Sequence, residues 1–338
     1  MRCILIVTAL LLSACTSAPL PTQLVVEAIR TDASAVQAAA PESRGKRDPG
    51  QPTGLLAYYA DDNPTELIVF CHGLGHNVED SWRQHVLGTI RPGRVVVTTN
   101  YRDNLKFPIL RGAHDTIAAT LMAKARFPGI RRVYLLGVSM GGAISGTAIS
   151  ESVHVTPDGS GLYDYWVNVE GLSNQFEAWA EASAALPEVA ANLEEDAGGR
   201  PDQVPEAYVR RSPVLRTADM ARTRLRAVAV IHAVNDGLVV YNQAREMAAA
   251  LVGAGIPTRF YNVLRHREGQ SAGTTGTGFF GALLGTDDPN RLNLAGHGSE
   301  ADAKHPVIRS GFEELERMLD GDYDDALPYD EGYVDEPF

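Results

Sequence analysis

Residues 133–142 read VYLLGVSMGG, an apolar run that ends in a group of glycines around a single serine. The run predicts a strand over Arg132–Val138, and the small residues that follow predict a helix over Gly142–Ser150. The chain must turn sharply between these two elements. A serine at that corner, Ser139, either belongs to a tight turn with no further role or is presented there as a reactive hydroxyl.

The five residues from Gly137 to Gly141 match the pattern G-x-S-x-G. This pattern holds a nucleophile only where a strand precedes it and a helix follows it, and both are predicted here. The N–H groups at the start of the helix also point at the serine and favour negative charge that develops there. We therefore predict that Ser139 is a nucleophile.

Strands and helices alternate through the central part of the chain, which predicts a mostly parallel, doubly wound α/β sheet with helices on both faces. The predicted strands are 55–60, 66–71, 94–99, 132–138, 165–169, 226–233 and 258–264, and the predicted helices are 113–126, 142–150, 241–253 and 305–319. Residues 173–222 interrupt the alternation and are a candidate lid insertion. The Gly/Thr-rich segment 267–290 is a second long insertion, of the kind that is usually functional or mobile.

A serine hydroxyl needs a base to remove its proton and a carboxylate to orient that base. The predicted strand 226–233 leads into an Asp-Gly turn, which places Asp236 just beyond a strand end, where such sheets carry functional groups. His297 lies between two glycines further along the chain, and the order Ser139, Asp236, His297 is that expected on this type of sheet. His266 directly follows the last predicted strand and is the alternative base.

Backbone donors are also needed for the negatively charged oxygen of a transition state. The stretch VFCHGLGHN at 69–77 ends a buried strand in a loop that can direct N–H groups at the serine. The N–H groups of Leu74 and Met140 are the predicted donors of an oxyanion hole. His72 is expected to shape this loop. The spacing of His72 and His76 would suit a metal only on a helix and no third ligand is evident, so we expect no metal and no cofactor.

Three further residues are expected to have structural roles. His232 lies within a predicted strand and is interpreted as a core residue, and His305 is interpreted as a helix cap or surface residue. Cys71 ends a predicted strand, where a free cysteine usually behaves as a small buried hydrophobe.

The ends of the chain differ in composition from its centre. Residues 1–14 combine Arg2, an apolar run and a small-residue site before Cys15, which resembles a bacterial lipoprotein signal. We therefore expect an extracytoplasmic protein of the bacterial cell envelope, attached to the membrane through a lipidated Cys15. Residues 15–52 are predicted to be a tether that includes a short helix near 23–39, and the acidic residues 321–338 a disordered tail. These limits leave a main domain over 53–320.

The overall charge limits the classes of partner. Net charge is −12 and the basic residues are scattered, which argues against nucleic acid because phosphate binding needs a basic face. The remaining expected partners are a small-molecule or lipid substrate and the membrane.

Four landmarks occur in order: His72-Gly73, the serine motif, an Asn-Asp-Gly turn at Asp236 and a Gly-His-Gly at His297. Together they resemble the α/β-hydrolase fold. The segments YVRRSPVL at 208–215 and VAVIHAVNDG at 228–237 are similar to the catalytic domain of prolyl-oligopeptidase-like hydrolases. The chain departs from that family in three ways: Ala233 stands where glycine is usual, a long insertion separates the last strand from His297, and no β-propeller sequence precedes the domain.

The resemblance implies a serine hydrolase that works through an acyl-enzyme intermediate without a cofactor. Because the propeller restricts access in peptidases of that family, its absence favours a carboxylic ester as the substrate. A peptidase or amidase with the same residues is the first alternative. A noncatalytic surface protein that has kept the fold is the second.

Overall fold

The computed structural model describes residues 23–31, 36, 54–60, 62–78, 87–102, 106–264, 296–298, 300, 302–325 and 327–334. Within these ranges, nine strands form a single sheet in the order β1-β2-β4-β3-β5-β6-β7-β8-β9. The pairs β1/β2 and β2/β4 are antiparallel, and the other neighbours are parallel. The strands are β1 (Leu24–Ile29), β2 (Gly54–Tyr59), β3 (Glu66–Cys71), β4 (Arg94–Thr99), β5 (Arg132–Val138), β6 (Tyr165–Val169), β7 (Ala227–Ala233), β8 (Thr258–Val263) and β9 (Tyr329–Val334).

Helices cover both faces of this sheet. The α-helices are α1 (Leu87–Thr89), α2 (Ile109–Arg126), α3 (Met140–Glu151), α4 (Gln175–Ala185), α5 (Pro187–Ala197), α6 (Pro205–Arg210), α7 (Thr217–Met220), α8 (Tyr241–Gly253) and α9 (Pro306–Leu319). Helices α2, α3 and α8 bury their apolar residues on one face, and α9 buries Val307, Leu315 and Met318 on the other. None of the helices in the described ranges is long and apolar enough to cross a membrane.

The central strands are apolar on both sides, as expected of a sheet that is covered on both faces. In β3, Leu67 and Val69 belong to one buried cluster, while Ile68 and Phe70 belong to the other. Strands β3 to β6 have the predicted bounds, β7 and β8 each differ from the prediction by one residue at one end, and β2 is shifted by one residue at both ends. The prediction of a mostly parallel, doubly wound sheet is confirmed.

The first strand lies in the segment predicted to be a tether with a short helix. Residues 24–29 instead pair antiparallel with β2, along an edge that would otherwise be open. Leu24 and Val26 are 41% and 45% exposed, whereas Ile29 is buried, so β1 is an edge strand with little core of its own. The Ala/Ser/Pro-rich surroundings concealed this short pattern. The predicted signal segment and Cys15 lie outside the described residues, and those predictions stay predictions.

The acidic end of the chain contains the last strand, so the prediction of disorder over 321–338 is wrong for this part. Tyr323 is buried and donates a hydrogen bond to Glu314 of α9. Strand β9 pairs in parallel with β8. The hydroxyls of Tyr329 and Tyr333 donate to Glu331 between them, at 3.0 and 2.9 Å. A strand at a sheet edge needs a backbone partner on only one side, so an acidic composition does not prevent it from forming.

The candidate lid insertion is helical and lies between β6 and β7, where it forms α4 to α7. Buried Glu151 at the end of α3 accepts hydrogen bonds from Arg210 and Arg216 of the insertion, at 2.6 and 3.3 Å. Asp196 at the end of α5 accepts one from Arg211 at 2.7 Å. The insertion is therefore fastened to the helix that follows Ser139. The second predicted insertion, 267–290, lies outside the described residues.

Candidate active site

Ser139 occupies the corner between β5 and α3 in a backbone conformation that is rare for residues with a side chain. Its φ is 55° and its ψ is −121°. Such a conformation costs about 1–3 kcal/mol and persists only where its surroundings hold it. The Ser139 N–H donates to the carbonyl of Val169 at 3.0 Å, and its own carbonyl accepts from Gly142 and Leu172 at 2.9 and 3.2 Å. These three bonds fix the corner in the strained form.

The glycines around Ser139 are required by close backbone contacts. A Cβ atom on Gly137 would lie 2.2 Å from the carbonyl oxygen of Gly141. A Cβ on Gly141 would lie 2.1 Å from the carbonyl oxygen of Cys71 at the end of β3. Neither position can accept a side chain without moving the backbone. The glycines therefore allow α3 to start directly against the sheet, with Ser139 at its tip.

The structure brings Ser139, Asp236 and His297 together at the carboxyl edge of the sheet. The Nε2 atom of His297 lies 3.1 Å from Ser139 Oγ, and its Nδ1 lies 2.7 Å from Asp236 Oδ2. The other carboxylate oxygen of Asp236 accepts from the N–H groups of Leu238 and Val239, both at 2.9 Å. With a proton on Nδ1, the ring donates to Asp236 and can accept the hydroxyl proton of Ser139. His266 lies outside the described residues.

The charges of this group are strongly coupled. Burial alone would raise the pKa of Asp236, but His297 and His232 outweigh it and hold this pKa below its usual range. Burial would lower the pKa of His297, but the negative charges of Asp236 and Glu170 outweigh it and raise the pKa to about 9. Asp236 therefore stays ionised, and His297 holds its proton more tightly than an ordinary histidine.

Two predicted backbone donors lie beside the serine. Met140 is the first residue of α3, so its N–H precedes the first intrahelical hydrogen bond. Within the described residues, the N–H of Leu74 has no protein acceptor.

His72 packs on the ring of Tyr101, with the ring centroids 4.3 Å apart, and burial lowers the pKa of His72 to about 4. The neutral His72 ring lies 2.9 Å, at Nδ1, from the carbonyl oxygen of Gly73.

Sequence reasoning missed three polar neighbours of the site. Glu170, the residue after β6, faces His297, and Glu300 accepts a hydrogen bond from the N–H of Gly73. His232 is buried as predicted, but it also lies 3.3 Å from Asp236 Oδ2, while its Nε2 donates to the carbonyl of Val239 at 2.8 Å. A signal for Glu170 existed, because a glutamate that directly ends an apolar strand lies on the same edge as Asp236.

The residues of the site do not suit a shared metal ion, and Cys71 does not suit a nucleophile. One ligand atom each from Glu170, Asp236 and His297 lies within 4.8 Å of the others. Asp236 contacts Nδ1 of the ring and Glu170 faces Nε2, so an ion on either nitrogen would have only one of the two carboxylates. Burial raises the pKa of Cys71 to about 12, which keeps it a thiol.

A cavity of about 320 Å³ opens beside Ser139. Its walls come from α4, α5 and the loops after β3, β4, β6 and β7. The apolar residues that line it include Leu74, Phe107, Leu172, Ala182, Leu186 and Val189. The insertion between β6 and β7 thus forms one wall of the space in which a substrate would meet Ser139.

One family model matches the chain. Its description is the prolyl oligopeptidase family, and the match covers residues 111–271, a little under half of the chain. The matched range contains Ser139, Asp236 and His266 and ends before His297. No curated protein is significantly similar to the chain.

Solved structures show the fold more completely. Esterase B from Lactobacillus rhamnosis superposes with a TM-score of 0.56 at 13% identity, over 90% of this chain and 88% of the esterase. An acylaminoacyl peptidase bound to Z-Gly-Gly-Phe-chloromethyl ketone gives 0.50 at 14% identity, over 84% of this chain and 40% of the peptidase. The Pyrococcus horikoshii acylaminoacyl peptidase gives 0.47 at 15% identity, over 64% of this chain, which spans 35% of that enzyme. Together with the sheet order, the likeness to the esterase shows the α/β-hydrolase fold.

Proposed function

We propose that this chain is a serine hydrolase that cleaves carboxylic esters through an acyl-enzyme intermediate. In this proposal Ser139 is the nucleophile, His297 the general base and Asp236 the carboxylate that orients it. The observation that carries the proposal is the hydrogen-bonded series from Ser139 Oγ through His297 to Asp236. The broader class, a serine hydrolase of the prolyl-oligopeptidase type, is also supported by the family match over 111–271.

In the first half of the reaction, Ser139 Oγ attacks the acyl carbon while its proton moves to His297 Nε2. Asp236 stabilises the charged ring that results and holds it in the required tautomer. The carbonyl oxygen becomes an oxyanion and is stabilised by the N–H groups of Leu74 and Met140, a type of contact worth about 10²–10³ in rate per donor. The tetrahedral intermediate then expels the alcohol, which takes the proton from Nε2.

The second half repeats these steps with water. His297 removes a proton from a water molecule, which attacks the acyl carbon bound to Ser139. The same backbone donors stabilise the second oxyanion. Breaking the bond to Ser139 Oγ releases the carboxylic acid, and the proton on Nε2 returns to the serine.

The apolar character of the cavity favours an ester over a peptide. Apart from Ser139 and Glu181, the side chains that line the cavity are apolar. A peptide would bring several amide groups against these walls, and each buried amide without a hydrogen bond costs roughly 1–3 kcal/mol. A short aliphatic acyl group has no such polar groups and gains about 0.8 kcal/mol for each buried methylene. The residues beside Ser139, including Leu74, Phe107 and Leu172, offer this kind of contact.

Two substrates that share the same leaving group test whether the chain prefers a simple ester or a peptide. We expect p-nitrophenyl butyrate to be hydrolysed with a kcat/KM at least about 10-fold above that of a peptidyl p-nitrophenyl ester, a difference of about 1.4 kcal/mol in transition-state binding. The shared leaving group removes the intrinsic difference in reactivity between esters and anilides. A reversed preference, together with turnover of peptide anilides, would establish the peptidase or amidase alternative. No turnover and no labelling by a fluorophosphonate would establish the noncatalytic one.

A larger side chain at Ala182 is expected to shorten the cavity. Ala182 on α4 is buried and lines it, so Ala182→Phe should lower the ratio of kcat/KM for p-nitrophenyl hexanoate to that for the acetate by about 10- to 100-fold. Ala184→Phe, on the exposed side of the same helix, is the matched control and should leave the ratio unchanged. An unchanged ratio in Ala182→Phe, with acetate turnover retained, would show that acyl groups bind elsewhere.

A further inference from the structure

Glu170 is a buried carboxylate that the mechanism above does not use. It directly follows β6, its side chain is inaccessible to solvent, and its backbone φ is 41°. Among the described residues other than glycine, only Ser139 and Glu170 have a positive φ. The N–H of Glu170 donates to the carbonyl of Ile231 on β7 at 2.8 Å. Glu170 is therefore a strained residue close to the nucleophile, and a hydrogen bond from β7 fixes its backbone. Strain of this kind at such a place points to a role at the site.

The two carboxylate oxygens of Glu170 face two consecutive residues of the loop that carries His297 (residues 296–298, the histidine loop). Oε2 accepts a hydrogen bond from the N–H of Gly298 at 2.7 Å. Oε1 lies 3.6 Å from Nε2 of His297, the nitrogen that also faces Ser139. Within the described part of the chain, Oε1 has no hydrogen-bond partner and no lysine or arginine pairs with Glu170. Among the described residues, the ring of His297 is therefore the group that becomes a cation beside this buried carboxylate when it is protonated.

We propose that Glu170 is a positioning residue for His297, which holds the histidine loop in place and controls the pH at which the ring becomes available as a base. The proposal rests on the proposed function, in which Nε2 must be unprotonated to accept the proton of Ser139. A negative charge beside Nε2 favours the protonated ring. It makes His297 a stronger base but moves the onset of activity to higher pH.

The charges around His297 come from three directions. Asp236, after β7, contacts Nδ1, and it is itself contacted by His232 of the same strand. Glu170, after β6, faces Nε2, and Glu300 follows His297 on its own loop. Burial opposes protonation of His297, but Asp236, Glu170 and Glu300 outweigh it, and burial in turn raises the pKa of Glu170. Such groups titrate together, so the pH profile reports a property of the whole cluster.

The test is the pH dependence of kcat/KM for p-nitrophenyl butyrate in the full chain and in Glu170→Gln. Glutamine keeps the size of the side chain and an oxygen for Gly298, but it removes the negative charge. In the unchanged protein, kcat/KM should rise with pH through an alkaline midpoint, because His297 must lose its proton. In Glu170→Gln the ring holds that proton less tightly, so we expect the midpoint to fall by about one pH unit or more.

Two matched variants separate charge from structure. Glu170→Asp keeps the charge and should keep the midpoint near that of the unchanged protein. Glu314→Gln replaces another buried glutamate, which is bonded to Tyr323, and should not move the midpoint. A Glu170→Gln variant that loses kcat equally at every pH, with the midpoint unmoved, would overturn the proposal and leave Glu170 a structural residue.

A measurement without turnover distinguishes this inference from the proposed function. The titration of the His297 ring can be followed by NMR of ¹³C-labelled histidine, with His297→Ala to assign the signal. The signal should titrate at lower pH in Glu170→Gln than in the unchanged protein. If no ester is hydrolysed but the titration shifts, the proposed function fails and the contact stands; if esters are hydrolysed and the titration does not shift, the inference about Glu170 fails.

Discussion

Replacing Ser139 with alanine is expected to lower kcat for p-nitrophenyl butyrate by about 10⁴-fold or more. The hydroxyl is the only group of this side chain that can form the acyl-enzyme. His297 lies 3.1 Å from it and, among the described contacts, has no other protein hydroxyl to activate. Alanine retains the Cβ atom, so the strained corner and its hydrogen bonds should remain. The measurement is steady-state turnover, together with the loss of fluorophosphonate labelling.

Ser150→Ala is the matched control for this substitution. Ser150 is buried on the same helix, and its hydroxyl donates within the helix to the carbonyl of Gly146 at 3.4 Å. Its replacement should leave turnover close to that of the unchanged protein. Substantial turnover by Ser139→Ala would mean that another residue is the nucleophile and that the corner has a structural role.

Replacing His297 with alanine is expected to have a comparable effect, a loss of about 10⁴-fold in kcat, because the base and its link to Asp236 are removed together. His266→Ala is the paired variant and should remain close to the unchanged protein. Both histidines need to be measured, because the family match includes His266 and ends before His297. If His266→Ala is inactive and His297→Ala retains turnover, the assignment of the base is reversed.

The part of the site that follows from local sequence was predictable. The corner at Ser139 was predictable because its glycine pattern spans only the five residues from Gly137 to Gly141, although Gly141 is also required by a contact with Cys71 at the end of β3. Asp236 was predicted from its place just beyond a strand, and His297 from the order of the three residues along the chain. These inferences needed only the alternation of strands and helices and the chemistry of a serine nucleophile.

The part that depends on distant contacts was not predictable. Glu170 meets Gly298 across 128 residues of sequence, and Gly73 meets Glu300 across 227. No sequence motif marks either pair, because each contact depends on which strand ends are adjacent in the folded sheet. Glu300 stands three residues beyond His297, yet its partner belongs to the loop that carries the predicted oxyanion donor Leu74.

The two sheet edges were mispredicted for one physical reason. Strands β1 and β9 gain much of their stability from backbone hydrogen bonds to β2 and β8, and they bury few side chains. Composition and periodicity report mainly on side-chain burial, so they are least informative at an edge. The central strands β3 to β6, which are buried on both faces, were predicted with their observed bounds.

The bond between Gly73 and Glu300 has a consequence for the chain as it is synthesised. Synthesis from the amino terminus produces the strained serine, its helix and the loop at Gly73 well before His297, which lies 158 residues after Ser139. Until the segment from His297 to Glu300 has emerged and docked, the nascent chain has neither the proposed base nor the anchor for that loop. Domains generally fold as units during synthesis, so hydrolytic competence would come with the last contacts of the domain rather than grow in stages. A chain truncated before His297 would lack the proposed base.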